Sequence, residues 1–184
     1  MPRVVAGSAG GLSLDSPKRT ELRPTQDRIK QVIFSSLGER VPGASVLDLY
    51  AGTGALGIEA LSRGAARATF VEQDRACVDC IQNNLKKCRL ESEGVVIKSE
   101  VIEYLNRAKN DTFQLIFADP PYEKIKSSLD DNPLLGAVLP WLDANGLFVW
   151  EHYSRQVLQS PKGWEIVRHR DYGETGLTFL KKIT

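Results

Sequence analysis

The chain has little cysteine, little histidine and no long hydrophobic run. Its three cysteines, Cys77, Cys80 and Cys88, are too few and too uneven to frame a small secreted domain. Cys77 and Cys80 have the spacing of a zinc or redox pair, but they fall within a predicted helix. The two histidines, His152 and His169, lie far away in sequence. No second pair completes a tetrahedral site, so the cysteines are expected to be structural and no metal is predicted. No apolar stretch reaches the length of a membrane span, and residues 1–7 lack the apolar core of a secretory signal. The expectation is a cytoplasmic protein with no membrane partner. An excess of one sign of charge is missing as well, since 24 basic and 23 acidic side chains leave a net charge of +1. Residues 1–40 carry seven basic and four acidic side chains, which leaves the remainder at −2. That distribution suits a phosphate-touching arm and equally a solvated surface.

What is present reads as one globular unit. With 184 residues, 42% of them hydrophobic and 26% charged, the chain can bury a substantial core. The first 24 residues are short apolar pieces broken by Gly7, Gly10, Gly11 and Pro17, as in a hairpin or arm. Thr25 is a suitable helix N-cap, Asp27 sits in the first turn, and Ile29, Val32, Ile33 and Leu37 recur at helical spacing. Pro42-Gly43 ends that helix. From Ser45 strands alternate with helices: strands over 46–50, 68–72, 94–99, 114–118 and 147–151, helices near 55–63, 75–89, 101–109 and 134–142. Short, mostly apolar strands in β-α order predict a doubly wound, Rossmann-like α/β sheet, mostly parallel. The tail departs from the pattern, because 165–171 and 177–182 flank a turn at Tyr172-Gly173-Glu174-Thr175-Gly176 and predict a C-terminal antiparallel hairpin. Residues 1–40 thus read as an N-terminal arm and helix, and 41–184 as the α/β domain.

The segment Asp48-Leu49-Tyr50-Ala51-Gly52-Thr53-Gly54-Ala55-Leu56-Gly57 leaves a strand and opens a helix. Glycine there lets the backbone turn tightly and approach a ligand, and Glu72, 20 residues after Gly52, suits two ribose hydroxyls. The pattern fits a nucleoside cofactor, and a nicotinamide dinucleotide must be considered. Asp48 before the turn favours a cationic ligand such as a sulfonium cofactor bearing an amino group. No basic residue in the loop meets a pyrophosphate, although helix N-terminal amides can do so alone.

A second motif, Asp119-Pro120-Pro121-Tyr122, follows the fourth strand. The prolines stiffen the backbone and remove two donors, leaving the Asp119 carboxylate and the Pro120 carbonyl as acceptors. Two acceptors can hold both N–H groups of an exocyclic amine and make its lone pair available, while Tyr122 stacks on the base. In a sheet whose order reverses between its first and fourth strands, these two loops meet at the switch point.

Together the two motifs resemble the class I S-adenosylmethionine methyltransferases that act on amino groups. Arg23-Pro24-Thr25-x-Asp27-Arg28 and Tyr172-Gly173 further resemble the RsmD family of 16S rRNA guanine-N2 methyltransferases, over nearly the whole chain. The resemblance implies S-adenosyl-L-methionine as cofactor, bound by Asp48, Tyr50, Gly52, Gly54, Glu72, Gln73, Glu100 and Val101. Within that set Glu72 would hold the ribose, and Glu100 would lie near the adenine amine. It implies Asp119, Pro120 and Tyr122 as catalytic residues, and Arg23 and Thr25, with Tyr122, on the substrate side, so that 1–40 would serve the substrate and 41–184 would be the cofactor-binding methyltransferase domain. Glu151 also fits the family pattern, without an assigned role. One departure stands out: where the family's hairpin carries Lys and Arg, residues 6–12 carry none. Ribosomal RNA in a partly or fully assembled small subunit is therefore the expected partner. The alternatives are adenine-N6 DNA methylation, protein-glutamine methylation, a nicotinamide oxidoreductase, and a non-catalytic RNA-binding module with a cofactor pocket.

Overall fold

The computed structural model describes residues 2–17, 26–107, 111–121, 128–156, 158–159 and 161–183. Seven strands form one sheet: β1 (Ser45–Leu49), β2 (Arg67–Glu72), β3 (Gly94–Lys98), β4 (Phe113–Ala118), β5 (Leu142–Tyr153), β6 (Trp164–Tyr172) and β7 (Thr175–Lys182). Their order is β3-β2-β1-β4-β5-β7-β6. The first five are parallel, and β7 runs antiparallel between β5 and β6. Helices α1 (Gln26–Leu37), α2 (Ala55–Ser62), α3 (Arg75–Cys88), α4 (Val101–Leu105) and α5 (Pro133–Val138) complete the fold. The expected α/β sheet with its antiparallel tail is what the chain forms.

The two faces of the sheet follow from strand alternation. Val46 of β1, Phe70 of β2 and Phe117 of β4 pack in one cluster with Ile33 and Phe34 of α1, Ile58 of α2 and Ile81 of α3. Leu47, Leu49, Val71 and Ile116 point the other way, into a cluster with Leu105 of α4, Leu134 of α5, Trp141 and Trp164. Every residue of β1 is therefore buried, as a strand covered on both faces requires. Asp48 shares the α1–α3 face with Val46.

Three boundaries differ from the sequence expectation. α4 ends at Leu105 rather than 109, and residues 108–110 lie outside the described set. The fifth helix splits, with α5 followed by a 3-10 turn at Leu139–Trp141, where Pro140 removes a helical donor. β5 begins at Leu142, five residues early; Asp143 Oδ1 accepts from Asn145 N inside the strand, and the register to β4 shifts between Phe113 and Leu115.

The N-terminal arm is a hairpin fastened to α2. Val4 N donates to Leu12 O and Gly11 N to Val4 O, both at 2.9 Å. Gly7 (φ +86°) sits so close to the end of α2 that a Cβ would fall 1.8 Å from Ser62 O. The fully buried Glu59 of α2 accepts from Val5 N (2.7 Å) and Ala6 N (3.1 Å) and pairs with Arg63 Nε (2.7 Å) and Lys30 Nζ (3.5 Å). Farther along, Asn84 Nδ2 donates to Asp15 O (3.1 Å) and Thr53 O (3.0 Å), joining the arm, α3 and the glycine loop. Cys80 Sγ donates to the same Asp15 carbonyl at 3.0 Å, and burial raises the pKa of all three thiols, Cys77 to about 12. The histidines, distant in sequence, stack with ring centroids 5.6 Å apart and share Thr178 Oγ1. No helix among the described residues is long and apolar enough to cross a membrane.

Candidate active site

The sheet order reverses between β1 and β4, and the loops after these strands separate there to leave a crevice. A cavity of about 330 Å3 lies at that point. Its wall takes Asp48, Tyr50 and Gly52 from the β1 end, Glu72 and Gln73 from β2, Glu100 and Val101 from the β3–α4 junction, and Asp119 from β4.

The β1 loop coils through alternate left-handed residues, with φ of +57° at Tyr50, +56° at Gly52 and +77° at Gly54. Holding a tyrosine there costs about 1–3 kcal/mol. The coil turns Gly52 N onto Glu72 Oε2 at 2.9 Å, while Asp74 N donates to Glu72 Oε1 at 2.9 Å. A carboxylate offers about four lone-pair sites, so this braced Glu72 keeps acceptor capacity on both oxygens toward the cavity. That is the requirement for gripping a vicinal diol. Gly57 does a different job. A Cβ there would lie 2.3 Å from the Phe70 ring, so glycine lets α2 close onto the sheet.

Asp48 is 2% exposed and accepts from Gly57 N at 2.9 Å. Burial pushes its pKa up to about 8, the Gly57 bond opposes this, and the neighbouring Asp119 and Glu72 charges add to the rise. A carboxyl so placed gains from a cationic ligand. The wall has the same bias: among its described residues Asp27, Asp48, Glu72, Glu100, Asp119 and Glu151 face one ammonium, Lys30. Lys30 is itself engaged, donating to Arg3 O and lying 3.5 Å from Glu59 and 3.8 Å from Asp27. Its pKa is lowered by burial, against the opposing pull of Glu59 and Asp27. Such a cavity repels a pyrophosphate and attracts a sulfonium with an α-ammonium group. The donor set therefore fits S-adenosylmethionine better than a nicotinamide dinucleotide.

Of the residues singled out from sequence, Gly54 and Pro120 do not line the cavity. Gly54 is buried behind the loop against Ile58 and Ile81, and Pro121 stands in the wall instead of Pro120. Glu100 is exposed and caps α4, accepting from Glu103 N at 2.8 Å. Arg23, Thr25 and Tyr122 lie outside the described residues. Glu151, left without a role by sequence, enters the wall from β5. Asp27 and Lys30 of α1 enter it too, and sequence reading did not place them there. A signal existed for Lys30: it stands at i, i+3, i+4 and i+7 with Ile33, Phe34 and Leu37, a cation on an apolar stripe.

Known proteins resemble this chain. Residues 2–181 match the family described as Conserved hypothetical protein 95. The Bacillus subtilis protein YlbH is 37% identical over 98% of this chain and 98% of its own length. Ribosomal RNA small subunit methyltransferase D of Escherichia coli (strain K12) is 33% identical over 98% of this chain and 89% of its own. A solved structure of the T. thermophilus 16S rRNA N2 G1207 methyltransferase RsmC, in complex with AdoMet and guanosine, matches with a TM-score of 0.72 and 25% identity, over 90% of this chain and 45% of that one. The chain belongs to the Conserved hypothetical protein 95 family, the RsmD family of class I S-adenosylmethionine-dependent methyltransferases.

Proposed function

We propose that this chain transfers a methyl group from S-adenosylmethionine to the exocyclic N2 of a guanine in small-subunit (16S) ribosomal RNA. The observation that carries the reading is the shared cavity: Asp119 of the amine-gripping motif lines the same space as Asp48, Gly52 and Glu72. Family membership and the RNA-methylating relatives support the polymer and the base. A cytoplasmic location and a partly or fully assembled small subunit as the substrate are part of the same proposal.

S-adenosylmethionine, when bound, supplies an electrophilic methyl group on a sulfonium. The chain's residues do the rest. Glu72 holds the ribose hydroxyls with the acceptor sites that Gly52 and Asp74 leave open. Asp48 carries negative charge opposite the cationic part of the cofactor. Asp119 accepts an N–H of the guanine amine, orients the nitrogen, and offsets the positive charge that develops as the N–C bond forms. The stiff Pro120-Pro121 backbone fixes the angle at which that carboxylate is presented. The Pro120 carbonyl, which stands outside the cofactor cavity, is the second acceptor on the substrate side, and Tyr122 stacks on the base. The 1–40 segment serves the substrate side, where Arg23 and Thr25 act, and Asp27 and Lys30 stand in the cavity wall.

Asp119→Ala tests this assignment. Cofactor binding by calorimetry should survive, while methyl transfer to unmodified small-subunit particles should fall by about 10²–10³-fold, the usual loss for one transition-state partner. Retained transfer would remove Asp119 from the mechanism.

A further inference from the structure

A second concave surface lies on the other side of α1. It is a groove lined by Arg28, Gln31, Val32, Ser35 and Ser36 of α1 and by Arg168 and Tyr172 of β6. The five α1 residues fall at i, i+3, i+4, i+7 and i+8, one face of the helix. Arg170 sits between Arg168 and Tyr172 on the same side of β6, since alternate strand residues share a face. Among the described residues, no carboxylate lines this groove.

Its cations are held differently from four of the arginines elsewhere. Arg3, Arg63, Arg67 and Arg75 each pair with a carboxylate: Asp27, Glu59, Asp111 and Asp79. Arg28, Arg168 and Arg170 are exposed, and none pairs with a carboxylate among the described residues. Arg168 instead donates to Ser36 Oγ at 2.8 Å, which props its guanidinium over the groove. A guanidinium aimed in this way and left without an anion matches a phosphate.

The groove and the cavity share a wall. Asp27 and Lys30 of α1 face the cavity, while Arg28 and Gln31 face the groove. Across the sheet, Glu151 of the cavity pairs with Leu177, and Leu177 pairs with Arg170. Two strand spacings separate Glu151 from Arg170, about 10 Å. That is close enough for one polymer to occupy both places.

We propose that the α1–β6 groove holds the phosphate backbone of the single-stranded RNA adjoining the target nucleotide. Arg28, Arg168 and Arg170 meet the phosphates, and the half-buried Tyr172 forms the floor. The proposal deepens the methyltransferase reading and rests on it for the identity of the polymer. It also supplies the basic surface that the lysine- and arginine-free stretch 6–12 does not.

The test uses the full chain and a short fluorescein-labelled single-stranded RNA, titrated by anisotropy across a range of KCl. Arg28→Glu and Arg170→Glu should each weaken binding about tenfold and lower the slope of log K against log salt by about 0.7, as expected for one lost phosphate contact. Cofactor affinity and Tm should stay unchanged. Because Arg168 bonds to Ser36, Arg168→Ala is read against Arg168→Lys, which keeps the charge and should retain most of the RNA affinity. Unchanged RNA affinity and salt slope in Arg28→Glu and Arg170→Glu overturn the proposal. So does reduced methylation of ribosomal particles with unchanged RNA affinity, which would assign the groove to a ribosomal protein. The two readings fail separately: a wild-type chain that binds RNA through these arginines but transfers no methyl group strikes the methyltransferase reading and leaves the groove.

Discussion

Two buried carboxylates, 11 residues apart, are treated in opposite ways. Glu59 is wholly buried yet surrounded by donors, with two backbone N–H groups, the Arg63 guanidinium and the Lys30 ammonium around it. Asp48 is nearly as buried, but one backbone N–H reaches it, and its nearest charged neighbours are Asp119 and Glu72. A satisfied buried charge fastens elements together. An unsatisfied one costs stability until a ligand completes it. The first ties the arm, α1 and α2 into one piece. The second marks the cofactor cavity.

The largest test of this contrast is Glu59→Ala. Removing the acceptor leaves a buried ammonium and two backbone donors short of a partner, so unfolding free energy should drop by about 3–5 kcal/mol. A urea midpoint that barely moves would deny Glu59 its fastening role. Asp48→Asn should act in the other direction. It keeps an acceptor for Gly57 N and removes the charge, so above pH 8 the cofactor-free protein should gain about 1 kcal/mol, or about 2–4 °C in Tm for a chain of this size. Its affinity for S-adenosylmethionine should weaken about tenfold, or about 1.4 kcal/mol. A variant that is both less stable and equally tight would make the two carboxylates alike.

The pH dependence sharpens the same point. The Asp48 carboxyl titrates near 8 when folded and near its ordinary value of 3.8 when unfolded. Between these values the folded state binds more protons, so the stability tied to Asp48 is complete below pH 3.8 and declines as pH rises toward 8. A cationic cofactor reverses the preference by favouring the ionised carboxyl. Near neutral pH its binding should release a proton, measurable by calorimetry in buffers of different ionisation enthalpy. Affinity should rise with pH toward neutrality, and both effects should vanish in Asp48→Asn.

Sequence revealed the features written in consecutive residues. The glycine run after β1, the stiff acidic-proline turn after β4 and the alternation of strands and helices each carry a local signature, and the reversal of strand order brings the two loops together. What it did not reveal depends on partners distant in the chain. Glu59 sits in an apolar helical run, and apart from Arg63 one turn on, its partners are Val5, Ala6 and Lys30, 29 to 54 residues away. Gly7, in a stretch judged by its missing lysines and arginines, is required by the backbone of Ser62. The early start of β5 was hidden because Asp143-Ala144-Asn145-Gly146 has the composition of a turn, and the strand carries that turn within it.

The placing of β7 between β5 and β6 has a consequence for biosynthesis. A chain made from its N-terminus presents β5 with an open edge and β6 with no neighbour until residue 182 has been added. β7 follows both of its neighbours in the chain, so it must insert between two strands made before it. Until that insertion the apolar stretch Phe148–Trp150 lies along an uncovered strand edge, which is when a newly made chain of this topology is most open to sticking to a neighbour or being held by a chaperone.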